Sequence, residues 1–109
     1  MVIVLKRHAE ALHDLTAEEF TELGQIQSRL THVLFEELHC ENEYSICFGE
    51  AENFAHIHFH IFAKPHEFPE ELKGGKSFAL LKVTAEEAVP AEEIIAFCAL
   101  LKNRFSAIS

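Results

Sequence analysis

The sequence predicts an α+β fold in which an antiparallel β-sheet packs against one long helix and is followed by a C-terminal helix. Three observations predict it: short apolar segments rich in β-branched and aromatic residues, a segment of strict apolar–polar alternation, and a long stretch of helical periodicity behind a capping sequence. A chain of 109 residues, of which 49% are hydrophobic, has the size and composition of a single domain over 1–109.

The N-terminal part of the chain predicts a strand and then the long helix. Val2–Lys6 is apolar and β-branched, which predicts a buried strand, and residues 8–15 predict a short helical or turn segment. Thr16 and Glu19 have the spacing of a capping box, so a helix should begin there and continue to about Leu38. The apolar positions of this helix predict that it packs against the sheet.

The remaining segments predict the rest of the sheet and the last helix. Glu43–Phe48 has strand composition, and Ala55–Phe62 alternates strictly, which predicts a further strand. The prolines and the glycine pair of residues 64–75 predict a surface loop. Ser77–Val83 is apolar enough for a further strand, and a last helix is expected over 90–105.

Charge and composition restrict the class of protein. A formal net charge of −9 argues against a general nucleic-acid-binding protein, because phosphate backbones attract clustered Lys and Arg. The apolar segments are too short for a membrane span, and the opening residues MVIVLKRH lack the pattern of a signal peptide. Three cysteines without a CxxC pair indicate reduced thiols. We therefore expect a cytoplasmic protein with no nucleic-acid or membrane partner.

Three histidines alternate with apolar residues in the strand predicted at 55–62. Because strand side chains alternate between faces, His56, His58 and His60 should project from one face, while the residues between them enter the core. Along a strand, neighbouring members of this row would be about 6–7 Å apart. A single histidine on such a strand is usually a core residue, whereas three in a row indicate a functional site.

The residue types alone leave three kinds of site open. A neutral imidazole can attack phosphorus, with a second imidazole stabilising the phosphoryl charge. A pair of histidines at spacing two can also bind zinc, and Glu50, Glu52, His66 and Glu67 could supply further ligands. The third alternative is a pH-sensing or structural histidine cluster.

Three segments together resemble the histidine-triad (HIT) family of nucleotide hydrolases and transferases. The segment 56–62, HIHFHIF, is similar to the family signature of three histidines separated by apolar residues. The segment 2–8, VIVLKRH, followed by LTAEE at 15–19, resembles the family's strand that ends in Lys/Arg-His and precedes an acidic, capped helix. The segment 49–56, GEAENFAH, resembles the loop that enters the triad.

The resemblance implies a role for each of four histidines. His58, the middle member of the triad, resembles the family nucleophile, and His60 resembles the residue that contacts the phosphate and helps the leaving group depart. His56 resembles the residue that orients the site, and His8 its hydrogen-bonding companion from the first strand. Asn53 stands at the place of a phosphate-contacting polar side chain.

Two substrate-binding positions and the start of the chain differ from the family pattern. Glu52 stands where many members carry Gln, and Lys64 stands near a place often occupied by Arg. The family's N-terminal hairpin, which helps to wall the nucleoside pocket, has no counterpart ahead of Val2 in this sequence. The resemblance therefore implies a HIT-like domain without that hairpin, in which the strand of the three histidines is central in the antiparallel sheet.

The resemblance also implies a reaction. The family hydrolyses or transfers nucleoside monophosphates from dinucleoside polyphosphates, such as diadenosine polyphosphates, or from nucleoside phosphoramidates, through a nucleotidyl-histidine intermediate. It needs no metal or other cofactor in the chemical step, and many members are homodimers. The alternatives are a catalytically weak nucleotide-binding or regulatory module and a zinc-binding protein.

Overall fold

The computed structural model describes residues 1–50 and 55–108. These residues have the mixed α+β composition that the sequence predicts, and they form two compact units, Met1–His66 and Glu67–Ser109. The expectation of a single domain over the whole chain stays a prediction. The regular elements, in chain order, are β1 (Val2–Val4), α1 (Ala17–Leu38), β2 (Asn42–Phe48), β3 (His58–Lys64) and α2 (Ala91–Ile108).

Within the described part of the N-terminal unit, three strands form one antiparallel sheet in the order β1-β3-β2. The strand that carries the histidines is central, as the sequence predicts. The register places Val4 of β1 and Phe48 of β2 on either side of His58. One pleat further along, Val2 and Ile46 flank His60 in the same way.

The two faces of this sheet differ in what covers them. Phe59 and Ile61 of β3 are buried on the face that α1 covers, and Ile57 and Ala9 join Phe59 in one hydrophobic cluster. His58, His60 and Phe62 of β3, which point to the other face, are only half-buried. The sheet therefore has one core face and one accessible face that carries the imidazoles.

The first strand is shorter and more exposed than the sequence predicts. It ends at Val4 rather than Lys6, and Val2 and Val4 are about half-exposed (51% and 50%). The prediction of a buried strand at Val2–Lys6 was wrong, because apolar composition does not distinguish a central strand from an edge strand. In the described residues β1 pairs only with β3, and its outer valines lie on the accessible face.

Two other predicted strands also differ from the structure. The central strand begins at His58 and extends to Lys64, so the predicted start at Ala55 was wrong and His56 precedes the strand. Residues 77–83 do not form a strand, since Gly74–Lys82 is a 3₁₀ segment. A short apolar stretch fits either conformation, and the adjacent glycine pair favours a turn-like start.

The long helix α1 begins with the capping box that its sequence predicts. The Thr16 hydroxyl accepts from the Glu19 backbone N–H (3.1 Å), and the Glu19 carboxylate accepts from the Thr16 N–H (2.9 Å). Two N–H groups at the helix terminus, which have no partner within the helix, are satisfied in this way. The helix buries Leu30, Val33 and Leu34, as expected for a packed amphipathic helix.

The C-terminal unit contains two 3₁₀ segments, Glu70–Leu72 and Gly74–Lys82, followed by α2. The carbonyl oxygen of Pro90 accepts from the N–H groups of Glu93 and Ile94, so the proline stands directly before the helix. Among the helices of the described residues, none combines the length and the apolar character that crossing a membrane requires.

The C-terminal end of α1 predicts a stabilising substitution. His39 ends the helix in the left-handed conformation (φ 51°, ψ 39°), which is unfavourable for a residue with a side chain. We expect His39→Gly to raise the free energy of unfolding by about 1 kcal/mol, measured by urea denaturation. His39→Val, which is β-branched, should lower it; equal stability of the two variants would contradict this account.

Candidate active site

The site is built on a corner of the chain between Leu5 and Ala9. The register of β1 with β3 would place Leu5 opposite Ile57, yet Ile57 donates its N–H to the carbonyl of Ala9 instead (2.8 Å). The chain thus leaves the sheet after Val4 and contacts the segment that enters β3 again at Ala9. The His56 ring spans this excursion: its Nε2 donates to the Leu5 carbonyl (2.7 Å), and its Nδ1 accepts from the Ala9 N–H (3.3 Å).

A glycine lets this corner approach the neighbouring strands. A Cβ atom at Gly49 would lie 3.0 Å from the carbonyl oxygen of Glu10 and 3.4 Å from the Cα of Ile57. A carbonyl oxygen of the main chain cannot rotate away as the end of a side chain can. The end of β2, the corner and the segment that enters β3 therefore meet because residue 49 has no side chain.

The corner is also tied to the long helix by Arg7. Its Nε and Nη2 donate to the two carboxylate oxygens of Glu19 (3.0 and 2.7 Å), and the guanidinium also donates to the carbonyl of Asp14. The same carboxylate closes the capping box with Thr16. Together these contacts lower the pKa of Glu19 to about 2, the hydrogen bonds from Arg7 being the largest cause.

The backbone of His56 determines which ring nitrogen of His58 carries the proton. The Nδ1 of His58 lies 2.9 Å from the backbone carbonyl oxygen of His56. A carbonyl can only accept, so Nδ1 carries the proton, and in the neutral ring the basic nitrogen is Nε2. This tautomer is the one that a nucleophilic imidazole requires, because the lone pair and the oriented N–H lie on opposite sides of the ring.

His60 is in edge contact with His58. Their ring centroids are 5.0 Å apart, and the ring planes meet at 71°. Burial lowers the pKa of His60, and the nearby His58 and N-terminal amino group lower it further. Near neutral pH His60 is therefore predominantly uncharged, so it offers one N–H donor rather than a positive charge.

His8 is stacked on His56 rather than on the strand pair. The two ring centroids are 5.5 Å apart with an interplanar angle of 22°, and the His8 Nε2 lies 3.4 Å from a carboxylate oxygen of Glu10. The four predicted histidines therefore form two ring pairs, joined by the hydrogen bond from His58 to the His56 backbone. The predicted row of three rings on one strand face was wrong at His56, because that residue precedes the strand and its ring spans the corner.

The structure does not bring Lys64 to the histidines. Lys64 is the last residue of β3, is buried, and forms an ion pair with Glu41. Four residues of strand separate it from His60, which corresponds to about 13 Å. Glu52 and Asn53, the other two predicted substrate-binding residues, lie outside the described residues.

Sequence reasoning missed the apolar residues around the imidazoles. Val4 and Phe48 flank His58 in the sheet, and each is about half-exposed (50% and 51%). The signal that could have found them is strand pairing, which no single segment of sequence contains. On the opposite face, Cys47 pairs with Phe59, and burial raises the pKa of its thiol, which disfavours a nucleophilic thiolate.

A cavity of about 370 Å³ lies on the core side of β1, away from the accessible face. Its apolar lining includes Ile3, Leu5, Leu23 and Phe59, and no site histidine contributes to it. In residues 1–50 and 55–108, no group of three His, Cys, Asp or Glu side chains is arranged to hold a metal ion. Both ring nitrogens of His56 contact the backbone, which removes one of the zinc ligands that the sequence left open.

Comparisons of the chain with models of known protein families and with curated protein sequences give no match.

The Arg7–Glu19 pair predicts that the stability of the fold depends on pH in the acidic range. The pKa of Glu19 is about 2 in the folded chain and about 4.5 when unperturbed, so its ionised form stabilises the fold above pH 4.5. This contribution should disappear as the pH falls from 4.5 through 2. In denaturation curves, wild type should exceed Glu19→Gln in stability near pH 6 and converge with it near pH 2. A pH-independent difference would contradict this prediction.

The His58–His60 contact predicts a measurable coupling. In an NMR titration the pKa of His60 should lie below its ordinary value of 6.5, because burial and the neighbouring ring disfavour its charged form. His58→Asn should raise the pKa of His60, because it removes the charge repulsion from His58 and leaves the burial of His60 in place. His32→Asn, at an exposed position of α1, is the matched control and should leave the His60 titration unchanged.

Proposed function

We propose that this chain is a nucleotidyl hydrolase or transferase of the histidine-triad type. Its substrates would be nucleoside phosphoramidates or dinucleoside polyphosphates, and His58 would be the nucleophile. The observation that carries the proposal is the hydrogen bond from the His58 Nδ1 to the His56 carbonyl oxygen (2.9 Å), which leaves Nε2 as the basic nitrogen. That nitrogen belongs to a half-buried ring on the accessible face of the sheet.

The reaction follows from this tautomer in two steps. In the first, the Nε2 lone pair attacks the α-phosphorus, an N–P bond forms, and the P–O or P–N bond to the leaving group breaks. The electron pair leaves with that group, which takes a proton from solvent. His58 keeps its Nδ1 proton and becomes a cationic nucleotidyl-imidazole, and the dipole of the His56 carbonyl stabilises this charge.

In the second step water or another acceptor attacks the same phosphorus. The N–P bond breaks, its electron pair returns to Nε2, and the acceptor loses its proton to solvent, which restores the starting tautomer. His60 would donate its N–H to a phosphoryl oxygen in both steps. Because the lowered pKa of His60 favours the neutral ring, this contribution is a directed hydrogen bond rather than a full charge.

The backbone contacts of His56 support its role as a positioning residue. Its ring is bonded to Leu5 and Ala9, so its carbonyl is presented to His58 from a constrained segment. His8, stacked on that ring, would limit its rotation. A cytoplasmic location, expected from the cysteines and the opening residues, and a homodimer, which the family resemblance implies, remain predictions; the chain's three cysteines are free thiols.

The decisive experiment is removal of the proposed nucleophile. We expect His58→Ala to lower turnover of adenosine 5′-phosphoramidate and of a dinucleoside polyphosphate by roughly 10³-fold or more, and to abolish nucleotide attachment to the protein seen by mass spectrometry. His32→Ala is the matched control at an exposed histidine of α1. Wild-type turnover by a folded His58→Ala protein would refute the proposed reaction.

Two measurements separate the alternatives. A nucleotide-binding module without catalysis would bind nucleoside monophosphates but would show neither turnover nor attachment to His58. A zinc protein would carry stoichiometric metal after purification without a histidine tag, and chelation would lower its melting temperature. If the proposed function is correct, chelation of metal ions leaves turnover unchanged.

A further inference from the structure

Phe48 lies beside the proposed nucleophile on the accessible face. It is the register partner of His58 across β2 and β3, so the two Cβ atoms are about 5 Å apart and their side chains point to the same side of the sheet. Phe48 is about half-exposed (51%). An aromatic surface is therefore accessible within one strand spacing of the nitrogen to which phosphorus would be bound.

The other described residues that flank the two imidazoles are aliphatic. Val4 lies on the opposite side of His58, and Val2 and Ile46 flank His60. Aliphatic side chains bury apolar area, but they offer no π-face for stacking. Further along the sheet, Tyr44 and Phe62 pair four strand positions away from His58, which corresponds to about 13 Å. Among the described residues that flank His58 in the sheet, the aromatic side chain is therefore that of Phe48 on β2.

We propose that Phe48 is the surface on which the base of the nucleotide substrate stacks. This inference rests on the proposed function, because it takes the phosphorus to be held at His58. A nucleoside phosphate carries its base one ribose away from its phosphate, and β2 lies about 4.8 Å from β3. A phosphate at His58 can thus direct the attached nucleoside across β2, onto the exposed ring.

A phenyl ring determines what kind of selectivity this contact provides. It has no hydrogen-bond donor or acceptor, so it cannot read the polar edge of a base. Every nucleobase has a π-face, and stacking on an aromatic side chain tolerates any base. Phe48 therefore selects nucleoside phosphates over sugar phosphates without a base and discriminates little between adenine and guanine.

The test compares a ligand that carries a nucleobase with a ligand that lacks one. Calorimetry of wild type, Phe48→Leu and Phe48→Tyr would use adenosine 5′-monophosphate (AMP) and ribose 5-phosphate. We expect Phe48→Leu to weaken AMP binding on the order of tenfold, to change ribose 5-phosphate binding by less than about twofold, and Phe48→Tyr to keep the affinity for AMP. Phe35→Leu, at a similarly exposed ring on α1 (56%), is the matched control.

Two results would overturn the stacking proposal: Phe48→Leu binding AMP as tightly as wild type, or wild type binding AMP no more tightly than ribose 5-phosphate. If Phe48→Leu unfolds, loss of AMP affinity in folded Phe48→Tyr overturns it, and retained affinity supports it. Nucleotide attachment to His58 reports separately on the reaction. Base-dependent binding without attachment would refute the reaction alone, whereas attachment with no effect of Phe48 would refute the stacking surface alone.

Discussion

The arrangement of the histidines depends on the imidazole of His56, whose hydrogen bonds to the backbone take the place of strand pairing. After Val4 the chain leaves the sheet, and the polar backbone groups of Leu5 and Ala9, at the two ends of the corner, need partners. The His56 ring supplies one donor and one acceptor, to Leu5 and Ala9 respectively. Because the ring must be held in one tautomer and one orientation to do so, the backbone of His56 is held as well, and its carbonyl is available to His58.

The contacts around the corner act together. Gly49 allows the Glu10 backbone to approach, and Arg7 connects the corner to Glu19 at the start of α1. The cap of the helix and the corner of the sheet thus share one carboxylate. A change at the helix terminus would reach the segment that positions His56 through the Arg7–Glu19 hydrogen bonds. The catalytic proposal therefore depends on contacts well outside the imidazoles.

Charge distribution explains how an acidic chain could receive a phosphate. With a net charge of −9, the protein repels anions over most of its surface. Two basic residues of the N-terminal unit are engaged elsewhere, Arg7 with Glu19 and the predicted substrate-binding Lys64 with Glu41. Imidazoles on the accessible sheet face would then bind the phosphate by directed hydrogen bonds, and apolar neighbours such as Phe48 would contact the uncharged part of the ligand.

The sequence by itself determined the elements with strong local signals. The Thr16–Glu19 capping box and the length of α1 follow from capping chemistry and from periodicity, which act between residues close in the chain. The family resemblance implied the central place of the histidine strand. Alternation also predicted correctly that His58 and His60 share a face. The segment at residues 77–83 was missed because a short apolar stretch satisfies a strand and a 3₁₀ turn equally well.

Only the tertiary structure decided how the four histidines are paired and what surrounds them. His56 stacks on His8 because Leu5 and Ala9, distant in sequence, require its two ring nitrogens. Lys64 is withdrawn from the site because Glu41 lies opposite the end of its strand, and Phe48 adjoins His58 because of the register between β2 and β3. Strand pairing and burial join residues far apart in the chain, and local patterns contain no information about such distances.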